Sequence, residues 1–185
     1  CDVAYKSILH ALRTGEGLNG TIETPPVYGK YHIDGHRACD VHFEYEDTKK
    51  HKGICPKCQQ ELTLGVAYPG EELADRKEPE HVPPFVSVVP LHELIAAVYD
   101  VKQLASKKVW EIYNKLIKTF GNEFSILLDA PEDALVKVVD PKLARVILLN
   151  REQKLTIEPG YDGVYGKIAL NMQQVIAKQK SLKEF

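Results

Sequence analysis

Two pairs of potential metal ligands, Cys39-x-x-His42 and Cys55-x-x-Cys58, stand 12 residues apart and constrain this chain more than any other feature. Cysteine and histidine at this spacing form the pattern of a zinc ribbon or knuckle, in which two short turns converge on one tetrahedral ion. In Ile54-Cys55-Pro56-Lys57-Cys58 a tight turn directs both thiolates and successive backbone N–H groups at one point, and Lys57 offsets the charge on sulfur. Three thiolates and one imidazole close a four-coordinate shell, so the expected ion is a single structural Zn2+ with no open position for water. His42 is the expected fourth ligand, and His32, His36 and His51 are close enough in sequence to take its place. Two plainer readings compete: cysteines buried as small hydrophobes, and a redox dithiol on a thioredoxin-like βαβ unit. No such unit surrounds the pair, and neither reading requires a second half-site. Cys1 is read as a bystander.

The 185 residues, 44% of them hydrophobic and 27% charged, suffice for a core without disulfides. No apolar run reaches membrane-spanning length and no signal-peptide pattern opens the sequence, so the expected location is cytoplasmic. The first residue is Cys rather than Met, and the chain is read as part of a longer protein. A formal net charge of -2 excludes a uniformly basic nucleic-acid binder; any contact with DNA must be a local patch.

Periodicity predicts an α+β chain in two units. Ala4, Ile8, Ala11 and Leu12 recur at helical spacing between a capping Asp2 and a terminating Gly15, and Gly20 to Glu23 reads as a short strand. The acidic, Pro-rich stretch AYPGEELADRKEPEHVPP has the composition of a linker or surface loop. The expected division is a helix, strand and zinc-binding domain over 1–75, a linker over 76–90 and a mainly helical domain over 91–185. In the second unit Leu91, Leu94, Ile95 and Val98 share one face. Ser106 should cap a helix carrying Val109, Ile112, Tyr113, Leu116, Ile117 and Phe120 to a stop at Gly121. Asp129-Ala130-Pro131 and Asp140-Pro141 should each start a further helix, with Leu135, Leu143, Val146 and Ile147 inward. After Lys167, the residues Ile168, Leu170, Met172, Val175 and Ile176 suggest a closing helix with a frayed end at 181–185.

The segments GTIETPPVYGKYHIDGHRACDV, GICPKCQQELTLGV, EELADR and PGYDGVYGKI occur in this order along nearly the whole chain. Together they resemble successive motifs of the endonuclease Q family of DNA repair enzymes. The resemblance implies the zinc-binding and helical parts of a protein whose N-terminal part is a metal-dependent PHP phosphoesterase domain. It also implies a parent enzyme that nicks DNA 5′ to deaminated bases such as uracil and hypoxanthine. No block here corresponds to the PHP metal-binding histidines, so this stretch by itself is expected not to cut DNA. Relatives usually carry Cys where His42 stands, which implies a metal ligand at that place.

Within that setting Lys49, Lys50, Lys52 and Lys57 lie between and beside the ligands, where phosphates can be neutralised, although lysine runs are also ordinary solvated surface. In Tyr31-His32-Ile33-Asp34-Gly35-His36-Arg37 a guanidinium, two imidazoles, a carboxylate and a ring surround one glycine, and Tyr31, His36 and Arg37 are candidates to grip an extruded base and its phosphate. The same alternation allows His32, Asp34 and His36 to hold a second metal, or Asp34 to orient His36. Residues 113–152 resemble a helix-hairpin-helix module, but Val138-Val139-Asp140-Pro141 lacks the usual glycines, and packing is its expected role. Lys107 and Lys108 are further candidate DNA contacts; the nearby Trp110 and Tyr113 can stack on a base but are expected in the core. Pro159 to Lys167 holds three glycines and two tyrosines without the order of a Walker loop, and Tyr161 and Tyr165 either flank a DNA strand or pack on the helices. The competing functional class is a zinc-stabilised protein-interaction module whose acidic loop, Glu71 to Glu80, docks a partner.

Overall fold

The computed structural model describes residues 3–76 and 84–170. Cys1, Asp2, residues 77–83 and the stretch from Asn171 lie outside the described residues, as do the Asp2 cap and most of the expected closing helix. Helix α1 covers Tyr5–Thr14 and ends where Gly15 takes φ 77° and returns its N–H to the Ala11 carbonyl. Only Ala11 of this helix is buried; Tyr5, Ile8 and Leu12 are exposed. Strand β1, Thr21–Glu23, pairs in parallel with β4, Phe85–Ser87, so part of the stretch read as a linker is a strand tied to the start of the chain.

The cysteine-rich lobe is built from short pieces. β2, Asp34–His36, and β3, Val41–Phe43, form an antiparallel hairpin with His36 opposite Val41 and Gly35 opposite His42. A 3-10 turn, Arg37–Cys39, joins them, with Asp40 at φ 50°. The lysine segment is not simply a loop: Tyr45–Lys50 is helix α2, its first turn acidic (Glu46, Asp47) and its last basic (Lys49, Lys50), in keeping with the helix dipole. A further helix, α3, covers Ala67–Leu73 within the expected surface loop; Pro69 falls in its first turn, where a missing N–H costs nothing. Buried apolar side chains in this lobe are few, chiefly Val41, Cys55 and Leu62, with Cys39 and Phe43 against them.

The larger core belongs to the helices. α4, Leu91–Val98, buries Leu91, Leu94, Ile95 and Val98 as expected from their spacing. α5, Lys107–Phe120, starts at Ser106, whose hydroxyl accepts from the Val109 N–H, and stops at Gly121. Asp140 caps α7, Pro141–Arg151, by accepting from the Lys142 N–H at 2.7 Å. Asp129 caps nothing: it ends a π-helical turn, Ser125–Asp129, and the short α6, Glu132–Leu135, begins after Pro131. Arg151 closes that turn by donating to the carbonyls of Ile126, Leu127 and Ala130. Leu135, Leu143, Val146 and Ile147 are fully buried. Trp110 is not core; it is 42% exposed, because Val109 and Leu116 take the inward face of α5.

The chain then returns to the first lobe. β5, Thr156–Glu158, pairs antiparallel with β6, Lys167–Ala169, so Ile168 lies in a strand rather than in a closing helix. Between these strands the turn at Tyr161–Val164 reaches the cysteine lobe, where Tyr161 bridges to Ile33 and the His32 and Ile33 N–H groups donate to the Gly160 carbonyl.

Candidate metal centre and nucleic-acid face

Alternation along the β2–β3 hairpin decides which histidine meets the cysteines. Directly opposed residues of an antiparallel pair project from the same face, and successive residues from opposite faces. His36 therefore shares a face with Val41, which packs with Cys55 and Leu62. His42 shares the other face with Gly35, and its ring lies against Tyr161 with centroids 4.8 Å apart. The structure accordingly gathers His36, Cys39, Cys55 and Cys58, whose ligand atoms all lie within 4.8 Å of one another. His42, the fourth ligand expected from spacing, stands outside this group. The signal that finds His36 is strand parity, not the x-x interval to the next cysteine.

The donor set fits a metal cation. Sulfurs of a tetrahedral zinc shell are separated by about 3.8 Å, given Zn–S bonds of about 2.3 Å, and the observed cluster is of this size. The turn that presents Cys55 and Cys58 is closed by the Gln59 N–H donating to the Cys55 carbonyl and the Cys55 N–H to the Gln60 carbonyl, with Gln59 at φ 62°. Cys58 Sγ lies 3.3 Å from His36 Nδ1. Hydrogen bonding to Cys58, with burial and the proximity of Cys55, pushes the Cys39 thiol up to about 11. Burial pushes Cys55 up as well, but the backbone N–H groups of Cys58 and Lys57, then the contacts with Cys58 and His36, outweigh it and draw the thiol down to about 6. Thiolates gathered this closely repel one another, and a divalent cation offsets their charge.

Among the described residues no other group of three such ligands converges. His32, Asp34 and His36 thus form no second metal cluster, and Asp34 does not orient His36. The Asp34 carboxylate is buried and accepts the Gly65 N–H at 2.7 Å.

The expected DNA contacts fall in three places. Arg37 and Tyr31 lie on one side of the Tyr161–Val164 turn: the Arg37 N–H donates to Asp162 at 2.6 Å, and a Cβ built on Gly163 would meet the Arg37 guanidinium at 3.4 Å and the Tyr31 hydroxyl at 3.6 Å. Thr63 also donates to Asp162, at 2.8 Å. Lys49, Lys50, Lys52 and Lys57 are exposed, the first two in the last turn of α2 and Lys57 between Cys55 and Cys58. Lys49 donates to the Tyr45 hydroxyl, Lys50 pairs with Asp47, and Lys57 donates to the Cys39 carbonyl at 2.7 Å, supporting the ligand turn directly. Lys107 and Lys108 open α5, Lys107 near Glu111 and Lys108 over the Tyr99 ring. His36 belongs to the metal cluster.

Comparison with known proteins bears on the whole chain. The family model described as the MJ0043 C-terminal domain matches residues 90–154. The chain is 39% identical over 152 residues to protein MJ0043 of Methanocaldococcus jannaschii, which covers 81% of this chain and 19% of that protein. It is 32% identical over 145 residues to protein YqxK of Bacillus subtilis, covering 77% and 33% respectively. Two solved structures align along essentially its full length. One is the crystal structure of the lesion-specific endonuclease PfuEndoQ from Pyrococcus furiosus, with a TM-score of 0.81 and 33% identity over 100% of this chain and 46% of that one. The other is endonuclease Q in complex with a 27-mer duplex substrate bearing an abasic lesion at the active site, with a TM-score of 0.84 and 32% identity over 99% of this chain and 47% of that one. The chain thus spans less than half the length of each of these relatives.

Proposed function

The chain is a counterpart of the C-terminal part of endonuclease Q, and on that premise we propose that it is the DNA-binding and lesion-recognition part of a repair enzyme acting on deaminated bases. The observation that carries this reading is the full-length match to an endonuclease Q chain described on a lesion-bearing duplex. In this proposal a PHP catalytic domain in the same polypeptide cuts the strand, and the present residues hold and orient the DNA. His36, Cys39, Cys55 and Cys58 would hold one zinc ion, whose contribution is to cross-link two turns that a core as small as Val41, Cys55 and Leu62 cannot fix.

Lysines 49, 50, 52 and 57 supply charge for the phosphate backbone, and Lys107 and Lys108 extend it on the helical side. In this reading Arg37 and Tyr31, beside the Tyr161–Val164 turn, order backbone next to a displaced base. The helix-hairpin-helix-like pair α6–α7 has a packing role, since Asp140, engaged as a helix cap, would repel a phosphate there. The test is titration of this chain with uracil-containing and matched undamaged duplexes at several salt concentrations. Binding that weakens log-linearly with salt supports the proposal; no measurable affinity for either duplex refutes it.

One observation favours a protein-interaction module instead: α1 leaves Tyr5, Ile8 and Leu12 exposed along one side. That reading requires no salt-dependent retention on heparin, whereas the DNA reading does.

A further inference from the structure

Trp110, the single tryptophan of the chain, is left on the surface of α5, and what it meets there is the wall of a cleft. Its ring lies 6.3 Å from that of His92, with the planes only 10° from parallel, and meets Tyr113 edge-on at 4.8 Å. His92 in turn lines a cleft of about 300 Å³, together with Glu23 at the end of β1, Val88 just after β4, and Glu123, Phe124 and Leu127. Val88 and Leu127 are buried and supply an apolar floor, while Phe124 is 54% exposed. None of these residues belongs to the metal cluster or to the lysine segment.

The two carboxylates of the cleft differ in what they already hold. Glu123 accepts the Leu91 N–H and the Tyr113 hydroxyl, each at 2.8 Å, so its charge is engaged with the positive end of α4. Glu23 is fixed through its backbone, where its carbonyl accepts the Val88 N–H at 2.8 Å. Its side chain is exposed, and among the described residues the Glu23 carboxylate has no cationic partner and no Lys or Arg lines the cleft.

One uncommitted carboxylate beside ring surfaces and an apolar floor selects a cation that is flat and carries an apolar stem. A guanidinium meets a carboxylate through paired N–H groups, lies flat on aromatic rings and is more weakly hydrated than an ammonium, so it leaves water more readily. The stem of an arginine side chain covers apolar surface such as Val88 and Leu127 while its charged head reaches a carboxylate. A phosphate is repelled by the same two carboxylates, which separates this cleft from any contact with nucleic acid. We infer that the cleft receives an arginine side chain presented by a partner protein, its guanidinium paired with Glu23 and stacked on Phe124 and His92. The complementary charge defines the partner's chemistry: an exposed arginine on a basic segment. Nothing in this assignment depends on DNA binding.

Because the 185-residue chain has one tryptophan, its indole N–H gives a single resonance that reports on this wall by NMR. Titration with N-acetyl-arginine N-methylamide should move that resonance saturably, together with the amide resonances of Glu23 and Phe124. N-acetyl-citrulline N-methylamide, which keeps the shape without the charge, should bind about fivefold more weakly or worse, and the lysine counterpart about twofold or worse. Glu23→Gln should weaken the arginine probe about threefold or more, and Phe124→Ala should weaken it as well. Both side chains are exposed, and unshifted resonances along α7 verify that the variants keep the fold. Free arginine, whose own carboxylate is repelled by the cleft, should bind no better than the blocked probe. The absence of a saturable shift, equal binding of the citrulline or lysine probe, or indifference to Glu23→Gln overturns the assignment. Tighter binding of free arginine overturns it too, by giving the cleft to the amino acid rather than to a partner's side chain.

Discussion

At the scale of single residues, the two histidines of the β2–β3 hairpin divide into different roles. His36 faces three sulfurs and His42 faces Tyr161. His36→Ala should therefore cut zinc content well below one per chain by elemental analysis, while His42→Ala leaves it intact. The reverse outcome would restore the ligand set expected from spacing. Cys55→Ser or Cys58→Ser should also release the metal, because a hydroxyl is a poor substitute for thiolate on zinc. Asp162 offers a pH signature. Burial pushes its carboxyl up, but the bonds from the Arg37 N–H and the Thr63 hydroxyl outweigh this and hold it below the ordinary 3.8. A carboxylate with a lower pKa folded than unfolded stabilises the protein above the unfolded value, and that contribution is lost as pH falls through the folded one. Asp162→Asn should consequently be less stable than the parent above about pH 5, and the gap should close towards about pH 3. Urea unfolding across that range measures it; a gap independent of pH would mean that the carboxylate charge contributes nothing.

Among the elements, α7 is the one whose loss reaches furthest. Asn150 is buried and makes both of its amide bonds to Val89, accepting its N–H at 2.9 Å and donating to its carbonyl at 3.0 Å. This joins the helical core to the segment just after β4. Asn150→Ala leaves a buried donor and acceptor unpaired, each costing about 1–3 kcal/mol, so a loss of about 2–4 kcal/mol is expected in chemical denaturation. By contrast, Ser106→Ala at the start of α5 should cost only about 1 kcal/mol, since it removes a single, long and half-buried cap bond. Equal costs for the two would mean that the Val89 groups find other partners. Boundaries of the longer helices were readable because caps and apolar period agree, as at Ser106 and Gly121. The π-helical turn at Ser125–Asp129 had no such signal; it depends on Arg151, which reaches the carbonyls of Ile126 and Leu127 in the turn and of Ala130 just after it from 21 to 25 residues downstream.

For the whole molecule, the two cores differ in what sustains them. Chelation should raise hydrogen exchange across residues 34–63 while α4, α5 and α7 stay protected, because those helices have an apolar core of their own. Unchanged exchange after verified metal removal would show that the small lobe stands without an ion. DNA binding is a property at this scale as well. Lys49→Ala with Lys50→Ala should weaken all duplexes alike and flatten the salt slope by up to about two units. Arg37→Ala should hurt uracil-containing DNA more than undamaged DNA, read by paired titration at fixed salt. Equal losses for both duplexes would reduce that loop to scaffold.

What the sequence determined by itself was local: the Cys55–Cys58 turn, the amphipathic face of α4 and α5, the Asp140-Pro141 start of α7 and the order of motifs shared with endonuclease Q. Each is written within a few residues, where spacing and capping chemistry act directly. Tertiary structure decided what depends on remote partners. Which histidine joins the three cysteines follows from which face of a hairpin meets Cys55, and β4 is a strand only because β1 lies beside it. The sequence 159–167 gains its meaning from the Gly35 hollow that admits Tyr161. A ligand set settled by strand pairing, or a turn docked on residues more than 100 positions away, leaves no period in the chain, since the bonds that fix it join residues that are neighbours only after folding.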